Sequence, residues 1–319
     1  METNDAGVKH YQLSFMGSGS TYFGITIVNW LLTIITLGIY YPWAKEKKLK
    51  YIYGSTALNE DRFAFHGTGK EMFKGFIKAI LLFVVLFGLF YLFIYLQMPI
   101  TALIVLYAGL FAIMPFAIHG SYRYRMSRTS WRGIRFGYRG NRTELLKLFL
   151  KGIFLTVITF GIYGSWFSMK LRNYLIGKVR FGNLELEYDG HGDEFFVLNL
   201  KGYLLTLVTL GIYSFWWERD LFAYYVDNTS VHNGEQHIEM KSTATGGGFF
   251  KLDIVNMLIV VFTLGFGYAW AVTRTMNFVA NHIEMEGDID LDSVVQTEEN
   301  FNDATGDDIS DMLDIDFIF

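Results

Sequence analysis

The sequence has no cysteine and only three prolines in 319 residues. The first absence excludes disulfides, thiolate metal sites and cysteine nucleophiles, and it leaves the redox compartment open. Charge is also scarce, at 18% against 52% hydrophobic and 18% aromatic residues. That balance is too apolar for an ordinary soluble domain and points to a membrane. No cleavable signal peptide is expected, because residues 1–22 are polar and no basic start leads into a short apolar run.

Apolar stretches stand at about 23–43, 76–97, 100–118, 152–168, 203–217 and 254–273. The second carries one charge, Lys78 near its start, the third carries none, and the two are joined only by Met98 and Pro99, which reads as a tight transmembrane hairpin. The others are weaker candidates. Tyr203 to Trp217 would make a helix of only about 22 Å, against a hydrocarbon core of about 30 Å.

Charge of the two signs is segregated. Residues 1–283 carry all 27 Lys and Arg, while 284–319 carry 13 acids and no base. The densest basic run is Arg123, Arg125, Arg128, Arg132, Arg135, Arg139 and Arg142, followed in density by Lys45, Lys47, Lys48 and Lys50. Both clusters are expected to face the cytoplasm.

What the sequence has in abundance is repetition. Thr36, Thr159, Thr209 and Thr263 each precede a glycine by two residues (Gly38, Gly161, Gly211, Gly265) and a tryptophan by seven (Trp43, Trp166, Trp216, Trp270). Such self-similarity implies one duplicated unit. Recurring positions at −7, −3, 0, +4, +7, +11 and +15 from the threonine fall on one face of a helix. Asn29, Thr33, Thr36, Thr156, Thr159, Thr206, Thr209, Asn256 and Thr263 form its polar part. This stripe is read either as helix packing with an aromatic belt or as a polar path through the membrane.

A second recurring element is aromatic-x-Gly-x-Gly, at Phe15–Gly19, Phe65–Gly69 and Tyr188–Gly192, with a degenerate copy at Tyr138–Arg142. Alternation before the glycines indicates strands, and the turn residues Gly182-Asn183, Asn233-Gly234 and Gly287-Asp288 predict short β-hairpins after the helices. Arg135 and Arg139 align with Glu185 and Asp189, so neighbouring copies in one sheet could pair these charges.

Thr36 to Trp43, Thr209 to Trp216 and the segment Trp131-Arg132-Gly133-Ile134-Arg135-Phe136-Gly137-Tyr138 resemble the YjgN family of bacterial inner-membrane proteins. The resemblance covers about residues 11–295, and it implies a multi-pass inner-membrane location and a domain of unknown function. The acidic tail lies outside it.

The expected fold is therefore a polytopic α-helical membrane protein with about six hydrophobic helices and short β-hairpins between them. It divides into an N-terminal tail (1–10), repeat 1 (11–69), an inserted transmembrane hairpin (70–122), repeats 2 (123–187), 3 (188–239) and 4 (240–295), and the acidic tail (296–319). Six crossings would alternate the hairpins between the two membrane faces, as in inverted repeats. If the four repeat segments instead dip and return near their glycines, every hairpin lies on one side, where a single sheet could form. The continuous stripe favours unbroken helices and hence six crossings.

Chemistry-bearing motifs are scarce. Gly69-Lys70 fails the phosphate-loop pattern at Ala64 and Glu71. No dinucleotide fingerprint follows Gly17 or Gly190, and no His-Glu-x-x-His occurs. His232 and His237 flank an Asn-Gly turn and read as solvated residues before they read as a metal site. His119, at the end of an apolar helix, reads as an interfacial residue before a proton relay. No catalytic, cofactor-binding or metal residue is nominated, and no enzyme is expected.

Arg123, Arg125, Arg128, Arg132 and Arg135 are candidate lipid-headgroup ligands. Their place beside a membrane hairpin favours anionic lipid over nucleic acid. The segment from Asp288 to Asp316, with apolar Leu291, Met312, Leu313 and Ile315, and Phe317 to Phe319 beyond it, is read as a disordered extension or a docking tail for a protein partner. Two functions follow: a transporter or channel of unknown substrate, or a non-enzymatic scaffold that binds anionic lipid or partner proteins.

Overall fold

A computed structural model describes residues 9–297. Ten strands, each three to seven residues long, close into an antiparallel barrel. They are β1 (Lys9–Phe15), β2 (Thr56–Leu58), β3 (Asp61–Phe65), β4 (Thr129–Trp131), β5 (Ile134–Tyr138), β6 (Val179–Phe181), β7 (Leu184–Tyr188), β8 (Thr229–Asn233), β9 (Gln236–Ser242) and β10 (Ile283–Gly287). Each strand pairs with its neighbours in sequence, and β1 closes on β10 in the register Lys9↔Gly287 to Gln12↔Glu284. Closure removes the exposed strand edges that a short open sheet would leave.

Connections alternate. β2–β3, β4–β5, β6–β7 and β8–β9 are joined by tight turns, and the other links are helical hairpins. These are α1/α2 (Gly19–Ile35, Tyr41–Ser55), α3/α4 (Gly69–Tyr95, Pro99–Arg128), α5/α6 (Arg142–Ile158, Gly164–Gly177), α7/α8 (Gly192–Val208, Ser214–Asp227) and α9/α10 (Gly246–Phe262, Tyr268–Asn281). Because the strands run up and down in order, all β-turns lie at one end of the barrel and all five helical hairpins at the other. The helices touch in chain order, and α10 returns to α1 to form a closed ring. We call this ring the crown.

The polytopic helical fold with about six hydrophobic helices, four helix-hairpin repeats and an inserted transmembrane hairpin is overturned by this barrel. Among the described residues two helices, α3 and α4, are long and apolar enough to cross a membrane. The remaining apolar stretches fold back at their threonine-glycine cores. Thr36 Oγ1 donates to the Leu32 carbonyl at 2.7 Å and accepts the Tyr40 N–H at 3.0 Å, while the Gly38 N–H reaches back to the Thr33 carbonyl at 2.7 Å. The same bonds recur at Thr159 with Gly161, at Thr209 with Gly211, and at Thr263 with Gly265. This is a Schellman-type helix end with a hydroxyl staple across it.

Leu37, Phe160, Leu210 and Leu264 take left-handed φ values of 50 to 52°, and the following glycines 91 to 97°. The helical spacing survives the reversal because the turn consumes little more than one helical repeat. A continuous stripe therefore does not require a continuous helix.

The conserved spacing of tryptophan from threonine has a packing cause. Trp43 lies on Gly69 at the start of α3, Trp166 on Gly192 of α7, Trp216 on Gly246 of α9, and Trp270 on Gly19 of α1. Each ring thus latches one helical hairpin to the next, and Trp270 closes the circle. The latch is missing between α4 and α5, where α4 has no tryptophan and α5 begins at Arg142, the degenerate copy of the glycine motif.

Tyrosine at +15 ties the second helix to the start of its own first helix in α1/α2, α5/α6 and α7/α8. Tyr51, Tyr174 and Tyr224 donate to the carbonyls of Ser18, Asn141 and His191 at 2.8 to 2.9 Å. A Cβ at Gly192 would stand 2.4 Å from Trp166 Cδ1 and 2.6 Å from its Cα, so Gly192→Ala must push apart two backbones. We expect it to cost about 1–3 kcal/mol. Gly24→Ala, in helix α1 with nothing within 4 Å of the new methyl, is expected to gain about 0.5–1 kcal/mol. Thermal unfolding of the two variants side by side checks both signs.

Gly182-Asn183 and Asn233-Gly234 do lie at β-turns, whereas Gly287 ends β10. Arg135 faces Ser130 across β4–β5, and the cross-strand charge pair is instead Arg180 with Glu185, 3.3 Å apart across β6–β7. β5 and β7 are separated by β6, so Arg135 and Glu185 do not meet.

Residues 288–297 do not trail away from the barrel. Ile289, Leu291 and Val294 are buried in its core. Tyr11 donates to the Ile289 carbonyl, Arg132 pairs with Asp292, and the Val295 N–H donates to Asn183 Oδ1 at 3.0 Å. The segment forms a plug across the turn end. The rest of the acidic tail, with Met312 and the apolar C-terminus, and residues 1–8 of the N-terminal tail lie outside the described residues.

Candidate functional site

Two features of this architecture present surfaces for molecular contact: the outer tips of the crown and the space inside the barrel. At the tips Leu37, Phe160, Leu210 and Leu264 are 89–97% exposed. Each is a large apolar side chain in left-handed backbone, which costs about 1–2 kcal/mol outside glycine. Ile35, Ile158, Val208 and Phe262 beside them are exposed as well. The tips lie at the same end of the barrel as the long α3/α4 pair.

Behind the tips the aromatic rings stack in pairs, Tyr40 on Trp43, Tyr163 on Trp166 and Tyr213 on Trp216. Lys47 and Lys170 lie 5.5 Å over the Tyr40 and Tyr163 rings. Lys151, Lys201, Lys251 and Arg274 are exposed on the same hairpins. Lys151 precedes Phe160 by nine residues, which sets the charge about 13 Å of helix back from the tip.

The polar stripe is largely consumed by local bonds. Besides the four stapling threonines, Thr33 and Thr156 donate to the carbonyls four residues back, Asn29 donates to the Ala44 carbonyl at 3.2 Å, and Asn256 bridges Thr275 and Arg274. Thr206 has its hydroxyl buried on α7. These residues sit on separate hairpins and mark where each one turns and packs.

The arginine run does not gather on one face either. Arg128, at the end of α4, makes two bonds to Glu71 at 3.1 and 3.2 Å. Arg132 sits at the β4–β5 turn, far from the crown, between Asp61 and Asp292 and 4.5 Å over the Trp131 ring. Arg125 is buried, Arg123 is half-buried, and Arg135 lies in β5, its N–H donating to Gln296.

His119 is buried edge-on to Tyr138. His232 and His237 face one another across β8–β9 with rings 6.2 Å apart, and His232 lies 3.1 Å from Glu187. Among the described residues no group of three His, Asp or Glu converges as a metal site.

Inside the barrel lies a partly open cavity of about 360 Å³. Its walls are apolar, from Leu13, Phe63, Trp131, Phe136, Ile238 and Met285. Leu291 of the plug floors the turn end, and Tyr122, Arg172 and Tyr225 border the crown end. Arg172 is the one charged side chain among the described residues lining it, with its guanidinium 4.1 Å from the Tyr225 ring centroid and 5.0 Å from that of Tyr188. Sequence reasoning missed this space, because strands three residues long carry too little alternation to reveal which side chains point inward.

Burial, and then the nearby Asp288 and Asp290, push the Tyr11 phenol up to about 12. It therefore stays protonated and able to donate to the plug. On the crown, burial and then the hydrogen bond and charge of Asp253 push the Glu218 carboxyl up to about 7. An acid whose folded value lies above its ordinary 4.5 holds its proton more tightly when folded. Its stabilising contribution is complete below 4.5 and is lost as pH rises towards 7. Glu218→Gln is expected to flatten the fall in Tm over that interval, which a pH series of thermal scans checks.

Comparison with known proteins adds a family and a location. Residues 10–189, 183–236 and 234–312 match the family described as bacterial protein of unknown function (DUF898). The inner membrane protein YjgN of Salmonella typhimurium (strain LT2) is 36% identical over 131 residues, covering 41% of this chain and 32% of that one. The protein of the same name from Escherichia coli O157:H7 is 36% identical over 135 residues, covering 42% and 33%. The aligned part thus spans about a third of the length of these relatives. No solved structure matches.

Proposed function

We propose that this chain, which belongs to the DUF898 family of bacterial proteins of unknown function and is related to the YjgN inner-membrane proteins, is a non-enzymatic scaffold of the inner membrane. Its α3/α4 pair crosses the bilayer, and its four shorter hairpins dip into the leaflet next to the barrel. The observation that carries this reading is the set of four exposed apolar tips in strained left-handed backbone. In water such tips have no compensation, whereas in hydrocarbon each side chain contributes about 1.5–3 kcal/mol. Exposed Lys47, Lys151, Lys170, Lys201, Lys251 and Arg274 lie nine to thirteen residues from the tips, at the depth of anionic headgroups. By the positive-inside rule the barrel then faces the cytoplasm.

A transporter or channel has weaker support. The hydroxyls of Thr36, Thr159, Thr209 and Thr263 are committed to turn and helix bonds, and residues 288–297 plug the barrel. Because the chain has no native thiol, single cysteines test the scaffold reading cleanly. Cysteines placed at Leu37, Phe160, Leu210 and Leu264 are expected to resist a water-soluble, membrane-impermeant thiol reagent applied to either face, and one at Lys201 to react from the cytoplasmic face. Ready labelling of the tip cysteines in intact membranes would sink the proposal.

A further inference from the structure

We propose that the barrel cavity is a binding site for a single-chain anionic amphiphile, a fatty carboxylate of about twelve carbons, with its carboxylate at Arg172. The walls select the chain. Leu13, Phe63, Trp131, Phe136, Ile238 and Met285 present hydrocarbon on all sides, so water entering the cavity would find few partners, and apolar cavities of this kind stay dry or take up apolar guests.

Volume sets the length. An apolar cavity of about 150 Å³ holds benzene, roughly 25 Å³ per carbon, and on that scale 360 Å³ accommodates about a dozen carbons. That is one chain and not the two of a phospholipid. The strands agree with this length, since five residues of strand extend about 17 Å.

Polarity sets the orientation. At the turn end the cavity is floored by Leu291, held there by its neighbours in the plug, Ile289 and Val294, which are buried in the same core. At the crown end it is bordered by Arg172, whose guanidinium rests against Tyr225 and Tyr188, with Tyr122 nearby. The methyl end of a fatty chain therefore fits against the plug and its carboxylate beside the single cation of the lining. The phenols stay protonated: burial raises Tyr188, with Arg172 pulling it the other way, and Tyr225 rises by the same balance. The Tyr188 hydroxyl donates to Met169 Sδ at 3.5 Å, and Tyr225, which lines the cavity, stands as a donor beside the carboxylate. The site is independent of how deeply the crown enters the leaflet, because its walls and its cation belong to the barrel and the helix ends above it.

The test is equilibrium binding of radiolabelled dodecanoate to the full chain in digitonin, whose fused-ring body is too wide for the cavity, with empty micelles subtracted. Dodecanoate should bind once per chain, and dodecanol about tenfold or more weakly. Arg172→Gln should erase that difference while leaving dodecanol binding unchanged, which also shows that the variant is folded. Arg172→Lys should restore most of it. Met240→Trp, which fills the half-buried wall, should abolish both ligands. Dodecanoate uptake no greater than that of empty micelles overturns the site, as does binding unaltered by Met240→Trp. Equal affinity of the native chain for dodecanoate and dodecanol overturns the carboxylate's place at Arg172.

Discussion

Trp131→Ala is expected to destabilise the barrel by about 3–5 kcal/mol, the cost of deleting a large buried aromatic side chain from a core. Trp131 is 1% exposed in β4. It meets Phe181 edge to face at 5.8 Å, and its Nε1 donates to the Asp61 carbonyl at 2.9 Å. The substitution would enlarge a cavity that is already present, so the surroundings have little capacity to collapse into the gap. Against a typical total stability of about 5–15 kcal/mol the loss is large.

Trp131→Phe keeps a ring against Phe181 and gives up one hydrogen bond, so it should cost about 1 kcal/mol plus some packing. Thermal unfolding of the reconstituted chain, followed by near-ultraviolet circular dichroism, separates the two. A shift below about 1 kcal/mol for Trp131→Ala would mean that the barrel interior does not hold the fold. The helices α3 and α4 should keep their far-ultraviolet signal through that transition, because a spanning helix satisfies its own backbone in lipid.

Replacing Leu37, Phe160, Leu210 and Leu264 together by Asp is expected to lift the four short hairpins out of the leaflet. A charged residue at the centre of an inserted helix costs about 2.5–3.5 kcal/mol on insertion scales, and each substitution also forfeits the apolar contribution of the original side chain. Asp tolerates left-handed backbone better than Leu or Phe, so the turns themselves should survive. On the proposed topology the α3/α4 pair keeps the protein in the membrane, so depth is the readout. In bilayers with brominated acyl chains, fluorescence of Trp43, Trp166 and Trp216, each stacked on a tyrosine behind its tip, and of Trp270, packed on Phe23, should be quenched in the native chain and should recover in the variant. Equal quenching in both would show that the crown does not enter the bilayer.

These two results would probe the parts of the molecule that were least and most legible beforehand. The long α3/α4 hairpin is readable because two apolar runs, one of 22 residues with Lys78 as its one charge and one of 19 with none, meet at Met98-Pro99 and need no partner to show their length. The strands before Phe65 and Tyr188 were readable from alternation, and Gly182-Asn183 from its turn chemistry. Trp131 gave no sign of being the core, since three-residue β4 has no pattern from which to read inside and outside.

The threonine-glycine stripe is complete in the sequence, but its continuity favours unbroken helices over the return at the glycines that the structure shows. Its period is that of a helix on both sides of Gly38, and only the positive φ at Leu37 and Gly38 reverses the chain. A non-glycine residue at that φ is not something periodicity can report. The arginine run was likewise visible as a cluster in sequence but is dispersed in space, because it passes from a helix end through a β-turn and back along β5.

By itself, the sequence determined the apolar balance of the chain, the recurring threonine-glycine-tryptophan spacing, the long apolar runs of α3 and α4 and the absence of recognisable catalytic motifs. Each of these rests on local composition or spacing. Only the tertiary structure decided that the repeats turn back, that all hairpins share one side, that each tryptophan packs on the glycine of the next unit, and that residues 288–297 plug a barrel with an apolar interior. The reason is that closure is a long-range property: β1 meets β10, and Trp270 meets Gly19, across nearly the whole described chain. No window of sequence contains both partners.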